Sequence, residues 1–279
     1  MAFTPVIPNG GLAGWSFLQR TLDRQEDIFS KSPDIKRDIE YFKNNIQNVE
    51  TLDDLMQDRK ILKVALGAFG LGEEISKGAF VRKILDEGIA EQSTFARRLN
   101  NPDYIEMAKA FNFDEGQLSL SETDINRITT QYERQNFEIE VGNVDDSMRL
   151  ALNFQREIQD LAGAGLSENA GWFRLLGSVP MRTVIEGAFN LPTEFAALDI
   201  DKQKEILSDK AQSKFGGKSI DVFTDPEAVD RVINDFLLRK QIESGPSTST
   251  PGFAALSILG QSNSGVGSSG LFNLLLSNG

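Results

Sequence analysis

A chain of 279 residues, 40% of them hydrophobic, can bury the core of one large domain or two ordinary ones. Its formal charge of -12 argues against a nucleic-acid footprint and against docking on anionic lipid, since both need a clustered excess of Lys and Arg. It has neither Cys nor His, which removes disulfides, thiolate and Ser-His-Asp nucleophiles, zinc sites built on His or Cys, and His-ligated haem.

Residues 1–14 are rich in Pro and Gly and read as an irregular arm. They carry no basic n-region and no long apolar core, so no Sec signal peptide is expected there. Nowhere does the chain hold the roughly 18-residue uncharged apolar run of a membrane helix, so no membrane insertion is expected. Cysteine content leaves the compartment open. Trp15, Leu18, Leu22 and Ile28 recur at helical spacing and predict an amphipathic first helix.

Ser32-Pro33-Asp34 then has the form of a helix start, followed by Ile35, Ile39, Phe42, Ile46 and Val49 at steps of four and three. Thr51-Leu52-Asp53-Asp54 resembles a capping box and opens a helix carrying Leu55, Ile61, Leu62, Leu66 and Phe69. Gly70 and Gly72 follow as candidate left-handed C-terminal positions. Phe80, Ile84 and Phe95 predict one or two short helices, and Asn101-Pro102-Asp103 begins another with Tyr104, Ala108 and Phe111 on one side. Ser121 and Asp124 open a helix to Asn136. The stretch from Asn136 to Val144 alternates Phe137, Ile139 and Val141 with Glu138, Glu140 and Gly142. It is expected to be a strand or, for want of a pairing strand, an extended linker.

Further helices are predicted through Met148, Leu152, Phe154, Ile158 and Leu161, after Asp199, and after the capping box Thr224-Asp225-Pro226-Glu227. One motif occurs twice. Val64, Gly67, Ala68, Phe69 and Leu71 match Val184, Gly187, Ala188, Phe189 and Leu191 at a constant offset, and Asn101-Pro102 is followed by a similarly spaced Asp225-Pro226. Two pseudo-repeated units, or unrelated helices sharing capping signals, would both produce this; the constant offset favours the repeat. The expected fold is all-α, with an N-terminal arm and helix over 1–27, helical units over 28–140 and 141–243, and a Gly/Ser-rich tail over 244–279. That tail is interrupted by the apolar Phe253 to Leu259 and Leu271 to Leu276. Such clusters are expected to fold back, to pair with the N-terminal helix or to dock on another subunit.

Candidate chemistry is sparse. Gly217-Lys218-Ser219 imitates the end of a P-loop, but Gln212 stands where its first glycine belongs. The pairs Asp53-Asp54, Glu73-Glu74 and Asp145-Asp146 lie at predicted helix boundaries, where acids favour the helix dipole, and Asp199-Ile200-Asp201 lacks the later ligands of a calcium loop. No catalytic residue, metal ligand or cofactor is therefore assigned. The apolar tail residues Leu271, Phe272, Leu274 and Leu275 are the first candidates for an interaction site.

The segments Asp38-Ile39-Glu40-Tyr41-Phe42, Thr51-Leu52-Asp53-Asp54-Leu55, Asp58-Arg59 to Leu71 and Phe80-Val81-Arg82-Lys83-Ile84-Leu85 resemble an alphaproteobacterial domain-of-unknown-function family. Trp172-Phe173-Arg174-Leu175-Leu176-Gly177 and Asp199-Ile200-Asp201-Lys202-Gln203 are similar to it as well, so the resemblance covers about residues 28 to 243. That family's members look all-helical, occur in tandem copies and are often encoded among flagellar genes, some labelled flagellar basal-body rod proteins. The resemblance implies a non-catalytic interaction or structural protein at the flagellum or in the cytoplasm at its base. Its partners would be flagellar components, and self-association is a further possibility. Two alternatives stay open: an export chaperone or adaptor for flagellar subunits, and a soluble enzyme using carboxylates or Lys between the two units.

Overall fold

The computed structural model describes residues 3–244 apart from 92, 93, 100 and 115. The tail clusters, with Leu271, Phe272, Leu274 and Leu275, lie outside the described residues. The fold is all-α. Its helices are α1 (Gly11–Ser30), α2 (Pro33–Asn45), α3 (Leu52–Gln57), α4 (Arg59–Gly67), α5 (Gly78–Glu87), α6 (Phe95–Arg98) and α7 (Pro102–Ala110). They continue as α8 (Glu122–Val144), α9 (Asp146–Gly163), α10 (Glu168–Gly177), α11 (Val179–Ala188), α12 (Ile200–Phe215) and α13 (Pro226–Ser244). Between α7 and α8, β1 (Phe113–Asp114) pairs antiparallel with β2 (Gln117–Leu118), Phe113 opposite Leu118.

Most helices begin where a side chain can satisfy the free N–H groups of the first turn. Thr51 and Asp54 form a reciprocal capping box on α3, and Ser121 and Asp124 form another on α8. Asn101, Asp145 and Asp199 cap α7, α9 and α12. At α13 the cap is Asp225, which accepts from the Glu227 N–H at 3.0 Å. Thr224, expected to share a capping box with Glu227, instead closes the preceding 3-10 turn by donating to the Asp221 carbonyl. Of the two glycines expected to be left-handed, Gly70 is, at φ 71°, and Gly72 is not.

The largest departure from expectation is α8. Residues 136–144 form neither a strand nor a linker; they are the last turns of a helix that runs to Val144, so the unit boundary expected after residue 140 falls inside it. The alternating pattern misleads because Phe137 and Val141 are four apart and satisfy both periods. Both are buried beside Ile128 and Tyr132, while Ile139 is 47% exposed. On α1 the buried face runs through Trp15, Leu18, Gln25 and Phe29, and Ile28 faces water. The irregular arm is pinned to this helix: the Val6 N–H donates to Gln25 Oε1 at 2.8 Å, and Gln25 Nε2 donates back to the Val6 carbonyl at 3.2 Å. Phe3, Phe29 and Phe137 stack edge to face or tilted, with centroids 5.2 to 6.0 Å apart.

The duplicated motif closes α4 and α11 in the same way. Leu71 N–H donates to the Leu66 carbonyl and Leu191 N–H to the Glu186 carbonyl, at 3.0 and 2.9 Å, with Gly70 and Asn190 both at positive φ. A methyl group added at Gly67 would come within 2.7 Å of the Tyr132 ring, and one at Gly187 within 2.8 Å of the Phe236 ring. Tyr132 and Phe236 each lie ten residues beyond the first residue of their helices, Glu122 and Pro226. This local likeness matches α13 with α8, not with the helix at Pro102 as proline spacing suggests.

Phe69 and Phe189 are both buried. Truncating either to Ala is expected to cost about 3 to 5 kcal/mol. Gly67→Ala and Gly187→Ala are expected to destabilise by about 1 to 3 kcal/mol despite alanine's better helix propensity, because the added methyl meets a ring. Urea unfolding of the four variants measures both effects.

Candidate functional site: a charged seam between α7, α8 and α9

Helices α8 and α9 pack against each other along much of their length. On the contact face of α8, Glu138 sits between the buried Phe137 and Val141 and is itself buried. A carboxylate taken from water there requires a partner. Arg156 of α9 supplies it as a fork: Nε to Oε1 at 2.8 Å and Nη2 to Oε2 at 3.1 Å. Its Nη1 donates to Glu157 of the same helix. Burial works against the charge of Arg156, but its two carboxylate partners outweigh this and hold its pKa above the ordinary guanidinium value.

Helix α7 lies within electrostatic reach of this pair. Its Glu106 is held by Lys109 at 2.6 Å and lies 3.7 Å from Arg174 of α10, and the half-buried Asp103 carboxyl feels the charges of Glu157 and Arg156. Loss of water is the largest influence on Asp103; repulsion from Glu157 and Glu106 adds to it and Arg156 opposes it. The Asp103 pKa is pushed up to about 7. A carboxylic acid that titrates near 7 is an unusual group, of the kind that clusters at functional sites.

A second polar feature lies between α2, α3 and α4, an open cleft of about 540 Å³ lined by Tyr41, Asn45, Gln57, Asp58 and Lys60 among others. Tyr41 donates to Asp58 Oδ2 at 2.8 Å, which raises its pKa, and the Lys60 ammonium lies 4.6 Å from its ring centre. Asp58 Oδ1 meanwhile caps α4 through the N–H groups of Lys60 and Ile61.

Most of the acids singled out in the sequence have structural roles. Asp54 and Asp145 are caps, Asp53 pairs with Arg82, Asp146 with Arg149 and Glu74 with Lys77. The P-loop imitation is a turn whose Lys218 carbonyl accepts from Trp172 Nε1 and Ser208 Oγ, at 2.8 and 3.0 Å. Among the described residues no three of His, Cys, Asp or Glu are placed to hold a metal, and no helix is long and apolar enough to cross a membrane. The seam went unrecognised in the sequence, where Asp103 reads as an ordinary first-turn acid and Glu138 as the polar half of an alternating stretch. A helical wheel carried through residue 144 would have placed Glu138 on the apolar face.

Fold and site together define an all-α protein whose buried charges fasten helices to one another. Residues 68–229, more than half of the chain, match the family described as Protein of unknown function (DUF1217), and the chain belongs to that family. A crystal structure of protein AGR_C_984 from Agrobacterium tumefaciens, the work of a structural genomics consortium, is similar to it at 25% identity and a TM-score of 0.70. The likeness covers 87% of this chain and 100% of that one. No curated protein matches.

Removing Glu138 leaves Arg156 short of its fork. Glu138→Ala is expected to cost about 3 kcal/mol and Glu138→Gln less, since the amide oxygen still accepts one bond. Chemical denaturation at one pH orders the two.

Proposed function

We propose that this chain is a non-catalytic interaction or structural protein associated with the bacterial flagellum, at the basal body or rod or in its assembly. Family membership supports the resemblance from which the flagellar setting is drawn. The observation that carries the interaction reading is the end of α13. After Leu237 this helix leaves the core, and Leu238 and Ile242, one turn apart, are 46% and 64% exposed. Paired apolar side chains held in water on a rigid helix suit protein contact. The tail that follows carries Leu271, Phe272, Leu274 and Leu275, which on this reading extend the contact to flagellar components or to a second copy.

The same reading takes the fold as two tandem helical units. The matched caps after Phe69 and Phe189 and the matched rings over Gly67 and Gly187 support it.

One observation favours a second reading, an enzyme working with carboxylates: the Asp103 pKa is pushed up to about 7, chiefly by loss of water and further by the charges of Glu157 and Glu106. The open cleft at Tyr41 and Asp58 does not include those residues. An export chaperone or adaptor is the third reading, distinguished by copurification of a soluble flagellar subunit.

Light scattering and affinity capture from motile cells, on the full chain and on one ending at Ser244, test the interaction. The full chain is expected to self-associate or retain flagellar components and the shortened one to do neither. Normal swimming and flagellar assembly after deletion of the gene would overturn the flagellar reading.

A further inference from the structure

We propose that the groove between α1 and α8, which each chain fills with its own N-terminal arm, is an acceptor site for the arm of a second copy, so that crowded copies exchange residues 3–7 and are linked by them. The exchange is separate from the contact at the end of α13 and stands whatever system the chain serves.

The arm is held as a ligand is held. Pro5 is buried and Phe3 and Ile7 pack against the core, while Thr4 and Val6 between them face water, the alternation of an extended chain. Phe3 enters an aromatic pocket, its ring 5.2 Å from that of Phe29 and 6.0 Å from that of Phe137. At Val6 the main chain alone is recognised. Its N–H donates to Gln25 Oε1 at 2.8 Å and its carbonyl accepts from Gln25 Nε2 at 3.2 Å, while its side chain stays 58% exposed.

The groove is prepared for that contact. Thr21 donates its hydroxyl to the Phe17 carbonyl at 2.9 Å and accepts from Gln25 Nε2 at 2.8 Å, which fixes the direction of the Gln25 amide. Gln25 is only 6% exposed, and among the described contacts its Oε1 takes the Val6 N–H as its one donor. With the arm lifted and nothing in its place, that oxygen loses its protein partner and the pocket of Phe29 and Phe137 loses its filling. A lifted arm therefore calls for a replacement of the same chemistry: a backbone N–H and C=O for Gln25, with an aromatic ring three residues earlier. A second copy carries that segment in identical sequence, and every contact of the closed chain is remade in the exchanged pair.

The joint permits both forms. Pro8-Asn9-Gly10-Gly11 turns the arm back along α1, with Gly11 at φ 63° and the Asn9 carbonyl so near Gly14 that no Cβ would fit there. Adjacent glycines adopt extended backbone as readily, so the same four residues can carry the arm away from its own helix and onto another. Because the contacts are the same in both forms, concentration decides between them. An attached arm has an effective concentration of about 1 mM, so dilute chains stay closed and copies packed at that density exchange.

The chain has no cysteine, so an introduced pair reports a single contact. Full-length Phe3→Cys and a mass-tagged full-length Phe29→Cys are mixed and oxidised. They are expected to form a disulfide-linked heterodimer whose yield rises about tenfold between ~10 μM and ~1 mM. Phe3→Cys mixed with Val179→Cys, a position 73% exposed on α11, is expected to give far less. A full chain lacking Asn9 and Gly10 keeps both rings and Gln25 but has no turn by which its arm can close, and light scattering on it is expected to give twice the wild-type mass. A Phe29→Cys yield no greater than that of Val179→Cys, or a shortened joint that leaves the mass unchanged, would each overturn the exchange. In the second case, binding of a labelled peptide of residues 1–9 to the joint-shortened chain would give the groove to a foreign segment instead.

Discussion

The close approach of an aromatic ring to a helical glycine sets the packing of this molecule. Tyr132 lies over Gly67 and Phe236 over Gly187, each so near that a methyl group would not fit. The missing side chain lets the ring of a long helix, α8 or α13, rest on the backbone of a short one, α4 or α11. Each buried ring contributes a large apolar area. Tyr132 adds a polar anchor. Its hydroxyl donates to Asp38 at 2.8 Å, and Asp38 also takes Lys63 at 2.6 Å, so α2, α4 and α8 meet at one carboxylate. Burial and the bond to Asp38 both push the Tyr132 pKa upward, which keeps the phenol a donor at any ordinary pH. Phe236 has no such handle and relies on complete burial.

What the sequence made legible follows from this arrangement. Glycine and phenylalanine in the motif that occurs twice are constrained by backbone geometry and by burial, and both stretches carry them where their neighbouring residues differ. Caps were legible for a similar reason: an oxygen two or three residues ahead of a free N–H is a local requirement that Thr51, Asn101, Ser121 and Asp199 each meet. The end of α8 was not legible. Over nine residues the pattern of Phe137, Ile139 and Val141 fits a period of two, and only the contacts with Phe29 and α9 decide which of these side chains turns inward. On α1, likewise, the choice between Ile28 and Phe29 depends on where Phe137 stands.

The seam was hidden for a different reason. Its meaning belongs to a pair, Glu138 and Arg156, on separate helices, and neither residue differs from dozens of surface charges until the helices meet. Most ion pairs here join residues three or four apart on exposed helix faces, such as Lys31 with Asp27 and Lys240 with Glu243, and such pairs add little. The pair of Glu138 with Arg156 is different because its carboxylate is buried, so its value lies in geometry more than in net stability. It fixes the rotation of α8 against α9.

An acidic chain has to contain its own repulsion somewhere. With a formal charge of -12 and few spare cations, added negative charge is least tolerable where water is scarce. Asp103 occupies such a place: loss of water raises its pKa most, and repulsion from Glu157 and Glu106 adds to it. Two of the apolar side chains left in water, Leu238 and Ile242, stand away from it on the end of α13. Contact with a partner there need not disturb the seam directly. Helix α1 packs on both α8 and α13, and Gly11, at φ 63°, lies against the Gln241 side chain. Helix α1 thus joins the end of α13 to α8, the helix that carries Glu138, while α9, the helix that carries Arg156, packs on α13 directly.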